Sequence, residues 1–290
     1  MDTTLTLAIA GIATGCVYAL VALGFVLIWK ATQVVNFAQG ELMMLGGFAG
    51  LGLVTIGWPW PLALAGAALA GALFGLLAER VVLRPLLGQP HIPIVMTTLG
   101  LGFMLKGAVT MIPGAGAETH ALPTPFAGQS IAFAGATAAA DHFLVIGVTL
   151  LLGAALFGFF RLAPLGRALR ATAQNPRGAQ LVGIPLARMQ GTIWALAAGL
   201  AAIAGMLLAP LTFVHAHMGL IGLKALPAAV IGGFGSIPGA LAGGLLLGLV
   251  EAFAGFYAPE GVKDIAAHVL VLAVLLLRPA GLFGRPQENT

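Results

Sequence analysis

In this chain of 290 residues, 60% are hydrophobic and only 8% are charged, against roughly 25% charged in soluble domains, so it carries more apolar surface than a water-soluble fold of that size can hide. The formal charge of +4 comes mostly from one arginine-rich loop together with Arg278 and Arg285, so it reports membrane topology and gives no ground for nucleic-acid binding. The single cysteine, Cys16, lies in mid-segment, which excludes an internal disulfide or a cysteine-based metal site and leaves a small packing residue.

A span needs roughly 20 apolar residues to cross about 30 Å of hydrocarbon. Residues 3–29 carry no ionisable group, and the first basic residue, Lys30, follows the apolar run, which argues against a signal peptide and places the N-terminus outside. Residues 42–78 are also uncharged, but Trp58, Pro59, Trp60 and Pro61 break them into two helices joined by an aromatic, interfacial turn. Glu79, Arg80 and Arg84 then mark a return to the cytoplasm. Residues 92–112 lead outward into a loop, 113–142, that has three prolines, Glu118, Asp141 and no lysine or arginine, as an external loop should.

Residues 143–160 bring the chain back to a loop, 161–188, that holds five arginines (Arg161, Arg167, Arg170, Arg177, Arg188) and no acidic residue. Short loops rich in Lys and Arg stay inside because translocating them is disfavoured. Within it, residues 165–173 followed by Asn175 and Pro176 read as a short helix with a defined stop. Residues 189–210 cross again. The run 219–257 is too long for one crossing and is interrupted at 232–239, which predicts two short helices or a re-entrant element there. A last span, 265–277, ends at Arg278 and Pro279. The expected fold is all-α: one polytopic membrane domain over 1–290 with about eight to nine helical segments, and an odd number of full crossings if the N-terminus is outside and the C-terminus inside.

Glycines recur every four residues at Gly235, Gly239 and Gly243, at Gly244 and Gly248, and in the pairs Gly11 and Gly15, Gly46 and Gly50, and Gly71 and Gly75. Such faces let membrane helices approach closely, within one subunit or across a dimer interface. Polar groups inside the spans are few. Asn36, Gln39 and Glu41 open the second span, Lys106 lies near the outer end of its helix, and Glu251 interrupts an apolar one. A charge at mid-bilayer costs roughly 2.5 to 3.5 kcal/mol and often marks function. Lys106 can snorkel outward and Asn36 can cap a helix. Glu41 and Glu251 either line a polar path, with Asn36 and Gln39 as further candidates, or pair internally.

No phosphate loop, zincin helix, nucleophile elbow or C-x-x-C is present, so no catalytic residue is assigned, and a chain without a nucleotide site cannot by itself couple ATP to transport. His215 and His217 are two apart, which on a helix points them to different faces and argues against a metal site.

Six separated stretches carry a resemblance. Residues 15–24 (GCVYALVALG), 35–41 (VNFAQGE), 84–86 (RPL), 166–176 (GRALRATAQNP) with Gly183 and Ile184, 232–240 (GGFGSIPGA) and 278–284 (RPAGLFG) together resemble the permease subunits of branched-chain amino-acid ABC importers, of the LivH type. Gln39 departs from the histidine common at that position, which weakens any role for a titratable side chain there. The resemblance implies a pore-forming subunit of the bacterial inner membrane, paired with a second permease, two cytoplasmic ATPases and a periplasmic binding protein. ATP and Mg would sit on the ATPases, with no cofactor on this chain. The arginine loop would hold the helix that docks on an ATPase, with Arg167, Arg170, Asn175, Gln180, Gly183 and Ile184 as the coupling residues. Leucine, isoleucine and valine are the implied cargo; related permeases handle urea, short amides and other amino acids. A stand-alone secondary transporter or channel is disfavoured by the scarcity of intramembrane carboxylates, and an intramembrane enzyme by the lack of a catalytic pair.

Overall fold

The computed structural model describes residues 3–86, 89–112, 114, 116, 118–133, 135–259 and 261–284. Pro113, where the external loop was expected to begin, and Arg285 lie outside the described residues. Among the described residues twelve α-helices run in the order α1 (Thr3–Thr32), α2 (Gln39–Thr55), α3 (Trp60–Ala78), α4 (His91–Thr110), α5 (Ala140–Leu162), α6 (Pro164–Gln174), α7 (Pro176–Leu181), α8 (Leu186–Thr212), α9 (Met218–Leu223), α10 (Ala225–Gly232), α11 (Ile237–Tyr257) and α12 (Val262–Leu277). The helix α3 is prolonged by one π-helical turn over Glu79–Leu83 and one 3-10 turn over Arg84–Leu86. Among the described residues six helices are long and apolar enough to cross a membrane, and α2, the bent pair α9–α10 and α12 supply shorter apolar segments.

Apolarity on every face of a helix calls for burial on every face. The two helices that satisfy it are α1 and α8, which form the centre of the bundle and are shielded almost throughout, while α3, α4 and α5 lie outside with most of their surface open. Glycine seams allow this density. Gly11 and Gly15 of α1 face Gly248 and Gly244 of α11; a Cβ added at Gly15 would stand 2.8 Å from the Leu245 Cα. Gly71 and Gly75 of α3 lie against Ala198 and Trp194 of α8, and Gly46 and Gly50 of α2 against Ala202 and Met206. Gly239 and Gly243 face Gly232 and Ala228 of α10. These seams are all inside one subunit. Gly235 is the exception and corrects the packing role expected of it: it lies in the turn before α11 with open space around its Cα.

The ends of the helices sort into two groups. At the arginine end lie the C-termini of α1, α3, α5, α10 and α12 with the N-termini of α4, α8 and α11: Trp29 packs at a tilt against Phe234, Arg84 bonds to Ala187, and the N–H groups of Leu282 and Phe283 donate to Ile231 and Gly232. At the opposite end Thr6 donates to the Thr137 carbonyl and His120 pairs with Val214. Among the described residues the chain thus runs back and forth between the two ends, with Thr3 at one and the 280–284 tail at the other. The interrupted run resolves into α9 and α10, one short apolar segment bent at Lys224, then a turn at 233–236, and α11. The loop that follows α4 carries something the sequence reading did not foresee, an antiparallel hairpin of β1 (Ser130–Phe133) and β2 (Ala136–Ala139).

Candidate functional site

At the arginine end the chain leaves α5 through extended Ala163 and forms α6, with Pro164 at its first position where a missing N–H costs nothing. Gly166, Leu169 and Thr172, at i, i+3 and i+6, are buried, and Gly166 lies against the Phe159 carbonyl of α5. Arg167 and Arg170 are thereby left exposed. Asn175 ends α6 and starts α7: its Oδ1 accepts from the Gly178 N–H at 2.8 Å, with Pro176 at the first helical position. The helix α7 closes through left-handed Gly183 (φ 84°), whose N–H donates to Gln180 while the Ile184 N–H donates to Ala179. That is a Schellman turn, which needs a residue tolerant of positive φ. Among the coupling residues inferred from the resemblance, then, Arg167, Arg170 and Gln180 present side chains to the outside, while Asn175, Gly183 and Ile184 shape the segment. Beside them Leu181 and Val182 are 89% and 77% exposed.

A cavity of about 300 Å³ opens at this end, lined among others by Asn36, Thr98, Glu79, Arg84 and Gln190. Glu79 is buried and held by Arg84, whose Nη2 donates to its Oε2 at 3.0 Å and to the Ala187 carbonyl at 3.3 Å. This joins the end of α3 to the first turn of α8, just beyond the α6–α7 segment. Asn36 is not the cap of α2. It is fully buried one turn earlier, where Oδ1 accepts from the Ala38 N–H at 3.0 Å and Nδ2 donates to Gln39 Oε1 at 3.2 Å. Gln39 in turn donates to the Ala197 carbonyl in the middle of α8 at 3.0 Å. Two amides thus satisfy each other and the backbone, and α2 begins deep inside the bundle.

Glu41 follows in the first turn of α2, 9% exposed, with Oε2 shielded and without a hydrogen-bond partner among the described residues. Lys106 is the charge that acts on it. It does not simply snorkel outward, since its Nζ lies 3.3 Å from Nδ1 of His217, the residue that caps α9. Glu251 pairs internally: Tyr18 Oη donates to Oε2 at 2.7 Å, and Lys224 Nζ is 3.9 Å from Oε1. Tyr18 and Lys224 also line a second cavity, of about 390 Å³, at the opposite end, with Thr14, Asp141, His142 and Lys263. The partners Tyr18, Lys224 and His217 had no periodic signal to reveal them; Tyr18 is 233 residues from Glu251. His215 and His217 have ring centroids 6.4 Å apart, and no group of three metal-ligating residues occurs among the described residues.

The model of the branched-chain amino acid transport system permease component family matches residues 7–278. The high-affinity branched-chain amino acid transport system permease protein LivH of Salmonella typhimurium is 34% identical over 292 residues, covering 96% of this chain and 94% of its own, and LivH of Escherichia coli K12 is 34% identical over 293 residues with the same coverage. The corresponding permease protein BraD of Pseudomonas aeruginosa is 34% identical over 292 residues, again covering 96% and 94%. Among solved structures, PsaBC from Streptococcus pneumoniae in complex with Fab covers 93% of this chain and 91% of its own at 16% identity, with a TM-score of 0.49.

Proposed function

The chain belongs to the family of permease components of branched-chain amino acid transport systems, and from that premise we propose that it is the membrane subunit of an ATP-driven importer of leucine, isoleucine and valine. A second, related permease completes the translocation path. Two ATPases on the cytoplasmic side bind ATP and Mg and hydrolyse the nucleotide, a periplasmic protein delivers the cargo, and this chain holds no cofactor. The arginine end faces the cytoplasm of the inner membrane, because exposed arginines without acidic neighbours favour retention there.

The observation that carries the reading is the α6–α7 segment. It exposes Arg167, Arg170, Leu181 and Val182 on a surface held rigidly by Leu169, the Asn175 cap and the Gly183 turn. An ATPase docked there pushes on α5 and α8 directly, and the Glu79–Arg84–Ala187 contacts pass the displacement of α8 on to α3. The nucleotide cycle thus reaches the helix at the centre of the bundle.

Reversing the charge of the patch tests this. The Arg167→Glu, Arg170→Glu double variant should reach the membrane in normal amount yet lose its ATPases on purification, or lose cargo-stimulated ATP hydrolysis. Full ATP-driven uptake by the double variant in reconstituted vesicles would reduce the arginines to a topology signal.

A further inference from the structure

The helices α4 and α9 both pack on α2, and where they meet it the bundle carries charge at a depth where hydrocarbon strongly disfavours it. Glu41 is level with Gly102, near the middle of α4, and its carboxylate occupies space left by the missing Cβ of Gly219. A Cβ on Gly102 would stand 3.4 Å from the Glu41 Cγ, an ordinary contact, whereas a Cβ on Gly219 of α9 would overlap both carboxylate oxygens. Lys106 stands one helical turn above, about 6 Å along the axis, and is joined to His217 rather than to the carboxylate. Glu41 and Lys106 attract each other without an ion pair closer than 4.0 Å among the described residues. A buried carboxyl oxygen with no donor among the described residues and a lysine one turn away, next to a histidine, thus lie side by side.

Apolar groups flank it. Phe103 shares a face of α4 with Lys106, Leu220 lies one turn after His217 on α9, and the two side chains are 75% and 54% exposed. Behind the flank made by α2, α4 and α9 a carboxyl and an ammonium group thus lie one turn apart beside an apolar rim, an arrangement that suits a zwitterionic head group with an aliphatic side chain.

We propose that Glu41 and Lys106, with His217, bind the head group of an α-amino acid in transit, Glu41 taking the ammonium group and Lys106 the carboxylate. Gly219 leaves the room that the carboxylate occupies. The proposal rests on the reading of the chain as an amino-acid permease and adds to it the place where the cargo is held.

The test is uptake of radiolabelled leucine by the complete transporter in vesicles, driven by ATP and the loaded binding protein, for Glu41→Gln, Glu41→Asp and Lys106→Gln, with the subunits in each complex quantified. A lost charge-assisted hydrogen bond predicts roughly a tenfold or greater fall for Glu41→Gln and for Lys106→Gln. Glu41→Asp, which keeps the charge on a shorter arm, should retain more uptake than the isosteric Glu41→Gln. A packing role predicts the reverse order, so Gln equal to or better than Asp overturns the site. Wild-type uptake by both charge-removing variants overturns it too, as does loss of partner subunits from both. If the unaltered transporter moves no leucine, isoleucine or valine, the functional reading fails and takes the site with it.

Discussion

Gly248→Ala measures how closely α1 and α11 depend on missing side chains. A Cβ at Gly248 would overlap the backbone N and Cα of Gly15 and the Gly11 carbonyl, and at neighbouring Gly244 it would stand 2.5 Å from the Ala19 nitrogen. Since these neighbours are backbone, no side chain can swing aside, and the two helices have to move apart by roughly 1 Å to restore ordinary contact. A gap of that size forfeits about a quarter to a half of each dispersion well along the seam, and overpacked sites typically lose about 1 to 3 kcal/mol. Alanine also gains about 1 kcal/mol of helix propensity over glycine, so the net expectation is a loss of about 0 to 2 kcal/mol against wild type and of about 1 to 3 kcal/mol against a control with the same propensity gain. Gly100→Ala in α4 is the control, because the propensity change is the same and nothing lies within 4 Å of the added methyl. Both variants would be unfolded by denaturant as purified protein in detergent, and the difference between them isolates the overlap. Gly248→Ala at least as stable as Gly100→Ala would refute the seam as a close contact.

Two further outcomes are expected. Tyr18→Phe removes the 2.7 Å hydrogen bond to buried Glu251 and should lower stability by about 1 to 3 kcal/mol in the same unfolding measurement; a change within about 0.5 kcal/mol would mean that Lys224 alone satisfies the carboxylate. Single cysteines at Gln174 and Thr119, placed in a Cys16→Ala background, should react with an impermeant thiol reagent in intact cells at 119 only, and labelling at 174 would invert the orientation.

Much of the architecture is legible in the chain because hydropathy and the sign of charge are local properties. Residues 3–29 without a charge already specify a span, Trp58 to Pro61 a break, and five arginines between 161 and 188 an end of the bundle. The short helix α6 is equally local, since Pro164 opens it and Asn175 closes it. Glycine spacing marks surfaces capable of close approach. It does not reveal their partners: Gly239 and Gly243 meet α10, whereas Gly235, in the same series, meets nothing.

The tertiary structure decided what the polar groups do. Asn36 reads as a helix cap and Glu41 as the start of a span, yet α2 begins deep in the bundle because Gln39 reaches the Ala197 carbonyl of α8. Glu41 and Glu251 are alike on paper; one meets two glycines and no donor, the other a tyrosine hydroxyl and a lysine. The difference is physical. In a membrane the placement of an apolar helix is set by its own composition, whereas the fate of a buried charge depends on which donors distant parts of the chain bring to it, and nothing in the spacing of the residues encodes that.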